Sequence, residues 1–186
     1  MQPNITAAIQ KKDLLVPELD ALESEIKHAL CTLGRDTSWR SWTSTDWTRK
    51  VKETVGNVIT RNGFVWNASG PNNIEWVWDG VAYKVGEGEI NGWIIKLRLV
   101  MESEWGEKED VEYDFQKLIV AAKAETRLLV FSARTESAGD EIVDSCKKGI
   151  AAFADTCPGA RYLFACWLNE RADRGSDAFV FKLHVV

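Results

Sequence analysis

The hydrophobic period of this chain changes at Gly63 from a helical repeat to a strand-like one, and this change constrains the fold class. Before Gly63, apolar residues recur every three or four positions, as on one face of an α-helix. After it, short apolar or alternating runs bounded by turn residues indicate strands, with further amphipathic segments between them. The predicted order is helix, helix, three strands, helix, strand, helix, strand, strand. It predicts a single α/β domain with a central mixed sheet flanked by helices.

The first amphipathic segment predicts a helix over residues 12–33, with Pro17 in its first turn and Gly34 as its stop. We interpret residues 1–36 as an N-terminal helical extension to a domain of residues 37–186. The extension either packs on the core of its own chain or forms a coiled-coil contact in a homodimer. Its apolar stripe consists of Leu15, Leu19, Leu22, Ile26, Ala29 and Leu33.

Residues 37–52 interleave tryptophans with basic residues, which is typical of a nucleic-acid surface. Lysine and arginine would contact phosphates and the indoles would stack on bases. The alternative is that Trp47 packs in the core and the lysines are solvated. A helix is predicted from its cap at Asp46 to Asn62-Gly63, with Glu53 opposite its core stripe and therefore in solvent. The stripe is Trp47, Val51, Val55, Val58 and Ile59, and the candidate nucleic-acid-binding residues are Trp39, Arg40, Trp42, Arg49, Lys50 and Lys52.

The segment after Gly63 predicts a short strand at residues 64–66 and a hairpin whose strands are residues 74–85 and 93–105. Beyond the hairpin, we predict a helix over 111–122, a strand over 127–131, a helix from Ser137 to Phe153 capped by Ser137 and Asp140, and strands over 161–168 and 178–186. The second hairpin strand alternates, which predicts two chemically different faces. One face would carry Trp93, Ile95, Leu97, Leu99 and Met101, and the other Lys96, Arg98, Glu102 and Glu104.

Three carboxylates at the ends of the hairpin strands are the candidate metal site. Asp79 interrupts an apolar run, and Glu102 and Glu104 lie two apart on one side of their strand. Oxygen ligands without a nearby histidine or cysteine favour Mg²⁺ or Mn²⁺ with a phosphodiester substrate. Alternatively, Asp79 bonds a neighbouring backbone group and the two glutamates are solvated strand positions. Bringing three like charges together costs several kcal/mol unless a cation offsets them, which favours the metal site.

Asp79, followed by Glu102-Ser103-Glu104 at the end of a hydrophobic strand and then by a helix and a strand, resembles the core of the PD-(D/E)xK, or restriction-endonuclease-like, nuclease superfamily. The resemblance covers about residues 46–133. Glu104 stands where the superfamily usually has a lysine, which is similar to the E-x-E variant of the restriction enzymes BamHI and BglII.

The resemblance implies a metal-dependent nuclease, with DNA as the expected substrate. Asp79 and Glu102 would bind the divalent metal, and Glu104 would help to bind it or accept a proton from the attacking water. Lys117 in the following helix would supply the displaced positive charge, or would form a plain surface pair with Asp114.

Composition limits the remaining functions. A net charge of −5 argues against a broad basic surface for nucleic acid. The four cysteines form no C-x-x-C pair and, with two histidines, are too few for a zinc site, so we expect free thiols in a reducing cytoplasm. No apolar run approaches the roughly 20 residues of a membrane span, so we expect none. No nucleophile motif favours a metal-independent enzyme acting on small molecules. The main rival to the nuclease is a non-catalytic module with this fold that binds nucleic acid or protein.

Overall fold

The computed structural model describes residues 17–68, 77–175 and 177–186. Two short 3₁₀ helices, Thr37–Ser41 and Gly88–Ile90, accompany the main elements. The α-helices are α1 (Ala21–Gly34), α2 (Ser44–Arg61), α3 (Lys108–Ile119), α4 (Glu136–Ala152) and α5 (Asn169–Asp173). The strands are β1 (Val65–Ala68), β2 (Gly80–Val85), β3 (Ile94–Glu104), β4 (Thr126–Ala133), β5 (Arg161–Leu168) and β6 (Phe179–Val185).

Within these ranges the six strands form one sheet in the order β1-β2-β3-β4-β5-β6. Strands β1, β2 and β3 are antiparallel neighbours, whereas β3, β4 and β5 are parallel and are connected through α3 and α4. The last strand, β6, returns antiparallel to β5. Parallel neighbours need a crossover connection, which the two helices supply. The predicted α/β class and mixed sheet flanked by helices are confirmed.

Helices cover both faces of this sheet, and each face has its own apolar core. One core joins α3 and α4 to the sheet through residues such as Phe115, Val100 and Ile142. The other joins α1 and α2 through Ile26, Val51 and Leu99, among others. Successive residues of a strand point to opposite faces, so the central strands are apolar on both sides.

The prediction of one apolar and one polar face for β3 is wrong. Val100 is fully buried on the α3 side, opposite to Leu99 and Met101, because both faces of this strand are covered. An irregular register beside Tyr83 also places Leu97 on the face opposite to Leu99. The predicted apolar face is moreover exposed at the hairpin tip, where Trp93 and Ile95 lie in solvent.

Helix α1 begins at Ala21, later than predicted, because Asp20 and Glu23 form a capping box there. Residues 17–20 are not helical, so Pro17 precedes the helix instead of lying in its first turn. The part of the predicted helix over residues 12–16, including Leu15, lies outside the described residues. The buried face contains Leu22, Ile26 and Leu30, while Leu19, Ala29 and Leu33 are partly buried beside it.

Helix α2 follows its prediction closely. Its five-residue stripe is buried, Glu53 is exposed, and the helix ends at Asn62 before Gly63, which has a φ of +75°. The N-terminal cap differs from the prediction, because Thr43 is the N-cap residue and Asp46 completes a capping box with it.

Boundaries of several other elements also differ from the predictions. Strand β2 begins only at Gly80, and residues 77–79 form a bend; residues 74–76 are not described. Helix α3 begins at Lys108, three residues before the first apolar position of its stripe. Thr135, rather than Ser137 with Asp140, caps α4. In the described ranges, no helix has the length and apolar composition needed to cross a bilayer.

Candidate functional site

Asp79 lies in the bend that leads into β2, and two contacts fix it against β3 and α3. Its Oδ2 accepts the backbone N–H of Ser103 at 3.0 Å. The neighbouring Trp78 donates its indole N–H to the carbonyl oxygen of Lys117 at 2.8 Å. The following Gly80 leaves room for the Trp66 ring, which lies 2.2 Å from where a Cβ would stand. The aspartate is therefore held beside the end of β3.

Glu102, in β3, is 1% exposed and faces α3. Its Oε2 lies 3.1 Å from the ammonium nitrogen of Lys117, whereas its Oε1 is buried and has no hydrogen-bond partner among the described residues. Burial and the nearby charge of Asp79 raise the pKa of Glu102 to about 8, although Lys117 opposes this increase. A buried carboxylate oxygen in this state requires a proton or a cation.

Lys117, in α3, contacts two carboxylates. Its Nζ lies 2.8 Å from Asp114 and 3.1 Å from Glu102. The predicted pair with Asp114 and a contact with the candidate site are therefore both present. Burial lowers the pKa of Lys117, but Asp114 and Glu102 outweigh that influence and raise it. The pKa of Glu102 is nevertheless raised as well, because Glu102 is more deeply buried and shares its one ammonium partner with Asp114.

Glu104 is bound by backbone groups of the loop that follows β3. Its Oε1 accepts the backbone N–H groups of Trp105 at 2.8 Å and Gly106 at 2.6 Å, in the loop that precedes α3. In the parts of the chain that the structure describes, no group of three or more histidine, cysteine, aspartate or glutamate side chains has the geometry of a metal site. The three predicted ligands therefore do not form such a group, although Asp79 is near enough for its charge to act on Glu102.

The pair formed by Asp79 and Glu102 still fits a hard divalent cation. Mg²⁺ usually takes one or two carboxylates and completes its shell with waters and substrate oxygens. Oε1 of Glu102, which has no hydrogen-bond partner in the described ranges, is a hard oxygen donor within the electrostatic influence of a second carboxylate, that of Asp79. Two protein ligands are therefore enough for Mg²⁺ or Mn²⁺ here.

Lys52 of α2 is a site residue that sequence reasoning placed only on a nucleic-acid surface. Its Nζ lies 2.8 Å from Oδ1 of Asp79, and its side chain is only 14% exposed. One helical turn earlier, Thr48 donates its hydroxyl to the carbonyl oxygen of Ser103 at 3.4 Å. The spacing from Thr48 to Lys52 places both side chains on one helix face. That face borders the buried apolar stripe of α2. This position beside the stripe is the sequence signal that could have indicated a contact of Lys52 with the sheet.

An open groove of about 840 Å³ runs between α2, β1 and the end of β3. Its walls combine hydroxyl, basic and aromatic side chains with the carboxylates of Glu53 and Glu104. They include Thr48, Arg49, Lys52, Trp66, Glu104 and Trp105. The groove therefore reaches Lys52, whose ammonium pairs with Asp79; neither Asp79 nor Glu102 lines it.

The predicted aromatic residues of the nucleic-acid surface are partly buried in a tryptophan cluster. Trp39 packs edge-on against Trp167, with ring centroids 5.3 Å apart, and Trp42 packs edge-on against Trp47 at 4.8 Å. Trp47 in turn stacks on Trp105 at 4.5 Å. These contacts leave only part of each outer indole accessible for stacking on a base.

The basic residues of the same segment are divided between surface contacts and the site. Arg49 bridges Asp46 and Glu53, and Lys50 also approaches Glu53. The guanidinium of Arg40 lies over the Trp39 ring at 4.8 Å from its centroid. Because acidic neighbours offset Arg49 and Lys50, this surface has less positive charge than its composition suggests.

No protein-family model matches the chain, and neither characterised proteins nor solved structures give a significant match.

Proposed function

We propose that the chain is a metal-dependent nuclease with a restriction-endonuclease-like fold, which hydrolyses phosphodiester bonds and takes DNA as its expected substrate. The order of α2, the meander β1-β2-β3, α3 and the parallel strand β4 is the arrangement that the resemblance implies. The resemblance implies that Asp79, in the bend before β2, and Glu102, within β3, correspond to the family's acidic residues. The observation that carries the proposal is the buried Oε1 of Glu102, which has no hydrogen-bond partner in the described part of the chain and feels the charge of Asp79.

In this mechanism each protein group has a separate task. Asp79 and Glu102 would hold the divalent metal, which would supply Lewis-acid stabilisation of the phosphate and activation of water. The Ser103 N–H fixes one oxygen of Asp79, and Lys117 fixes one oxygen of Glu102. Glu104 lines the groove and accepts the proton of the attacking water. The groove beside α2, which Arg49 and Lys52 line, receives the nucleic acid.

The second candidate function is a non-catalytic module that binds nucleic acid or protein. Lysines already pair with both carboxylates, which would also be expected of a site that has lost its metal. Glu104, which replaces the usual lysine and bonds its own backbone neighbours, favours this reading too. Catalysis separates the two candidates.

A cleavage assay is the test of this proposal. Single- and double-stranded DNA and RNA are incubated with the native protein and either Mg²⁺, Mn²⁺ or EDTA. We expect cleavage that needs the metal and that falls on the order of 1000-fold in Asp79→Asn, because a lost metal ligand removes several kcal/mol of transition-state stabilisation. Asp144→Asn, which changes an exposed aspartate on α4, is the matched control. Absence of cleavage of every substrate by the native protein would refute the nuclease and leave the binding module.

A further inference from the structure

The tip of the β2-β3 hairpin, residues 85–95, is an apolar arm that extends beyond its neighbouring strands. Pairing of β2 with β1 stops at Tyr83, and pairing of β3 with β4 starts only at Leu99. All residues from 87 to 96 are exposed. Half of the ten large hydrophobic side chains that are exposed in the described ranges belong to this arm: Val85, Ile90, Trp93, Ile94 and Ile95. An exposed apolar patch of this kind marks a contact surface.

Backbone hydrogen bonds give the arm a defined shape. The N–H of Gly86 donates to the carbonyl oxygen of Trp93 at 2.8 Å, and the N–H of Trp93 donates to the carbonyl oxygen of Ile90 at 3.2 Å. Ile94 is the cross-strand partner of Val85, and the next residue, Ile95, points to the opposite face. The arm is therefore an ordered ribbon with exposed apolar side chains on both faces.

Charge divides the arm into an acidic tip and a basic base. Glu87 and Glu89 lie in the turn, whereas Lys84 and Lys96 form a cross-strand pair where the arm begins. An acidic tip repels the phosphates of nucleic acid and of anionic lipids. A protein surface that is apolar with basic residues at one end is complementary to the arm. The arm of a second copy is such a surface.

We propose that two copies of this chain associate through their arms, which pack antiparallel about a twofold axis. The acidic tip of each copy then meets the basic base of the other, and the contact occurs twice because the interface is isologous. Between the two ends, the exposed isoleucines and Trp93 of the two arms bury one another. This inference does not depend on the proposed nuclease function.

The interface differs from the coiled coil that the sequence left open for the N-terminal helix. In the described part of α1, the apolar stripe packs on the core of its own chain. The arm is also a small interface, because standard interfaces use about 20–30 residues a side and the arm supplies about half of that number. We therefore expect a reversible dimer with a dissociation constant on the order of 10 µM.

Analytical ultracentrifugation of the full chain over about 1–500 µM tests the dimer. We expect Trp93→Ser to raise the dissociation constant about 100-fold, because a central tryptophan is lost from both copies. Tyr113→Ser on α3 is the matched control, since Tyr113 is 70% exposed and Trp93 is 74% exposed. It should leave the dissociation constant unchanged. Ile95→Ser serves as the second arm variant if Trp93→Ser does not fold.

A native protein that stays monomeric over this range would overturn the proposal and leave the arm to a different occupant. A dimer that persists unchanged in the folded arm variants would overturn it as well, because the contact would then lie elsewhere.

Charge reversal tests the antiparallel arrangement. Glu87→Lys combined with Glu89→Lys makes the tip basic, and Lys84→Glu makes the base acidic. Each protein alone then brings like charges together, so its dissociation constant should rise about tenfold. An equimolar mixture of the two proteins restores opposite charges at both ends and should pair within about threefold of the native affinity. A mixture that pairs no more tightly than either variant alone would overturn the arrangement.

Discussion

Replacing Glu102 with glutamine is expected to stabilise the protein at alkaline pH and to abolish metal-dependent cleavage. In the folded protein without metal, burial and the charge of Asp79 raise the pKa of Glu102 from 4.5 to about 8. The folded state therefore binds a proton that the unfolded chain releases between these two pH values. Stability from this group is complete below pH 4.5 and is lost as the pH rises through 8. Glutamine stays neutral throughout and avoids the loss.

The expected difference in the free energy of unfolding between Glu102→Gln and native is on the order of 4 kcal/mol at pH 9 and below about 1 kcal/mol at pH 5. Urea unfolding in EDTA across this range measures it. Glu53→Gln, at an exposed position of α2, is the control for the chemical change alone. Cleavage by Glu102→Gln should fall on the order of 1000-fold, because a metal ligand is gone. Parallel stability curves for native and variant would contradict this account of Glu102.

Replacing Glu23 with alanine is expected to cause the largest loss of stability outside the candidate site. Glu23 is fully buried at the start of α1 and accepts hydrogen bonds from Arg161 at 2.9 Å and Thr126 at 2.8 Å. It also completes the capping box with Asp20, which in turn pairs with Arg98. The alanine variant loses the capping box and leaves the hydroxyl of Thr126 in β4 and the guanidinium of Arg161 in β5 without this acceptor.

We expect Glu23→Ala to lower the free energy of unfolding by about 3–5 kcal/mol, as when one partner of a buried ion pair is removed. Glu25→Ala is the matched control, since Glu25 is on the same helix but contacts Arg61 and Asn62 at the surface. The control should cost less than about 1 kcal/mol. Equal losses in the two variants, measured by urea unfolding at pH 7, would show that the buried network contributes little.

Sequence patterns predicted those elements whose residues carry one strong local signal. The stripe of α2 and its end at Asn62-Gly63 follow from helical spacing and from the freedom of glycine at positive φ. The class of the fold followed from the order of such segments. The predicted start of α1 was wrong because the prediction followed the apolar stripe too far toward the N-terminus. It overlooked Asp20 and Glu23, whose spacing is a capping signal.

The site depends on contacts between distant parts of the chain, which local patterns do not contain. Asp79 and Glu102 were named from their places on strands, but the direction of Glu104 depends on the backbone turn at Trp105 and Gly106. The pairing of Lys52 with Asp79 requires the docking of α2 on the end of β3. The polar face of β3 was mispredicted because alternation does not reveal that helices cover both sides of a sheet.

The most direct test of a divalent-cation site on Asp79 and Glu102 is calorimetric titration of the native protein with Mn²⁺ at pH 8, compared with Asp79→Asn and Glu102→Gln. The proposed site predicts binding of about one ion per chain in the native protein and its loss in each folded variant. Failure of the native protein to bind Mn²⁺, or equal binding by all three proteins, would contradict it.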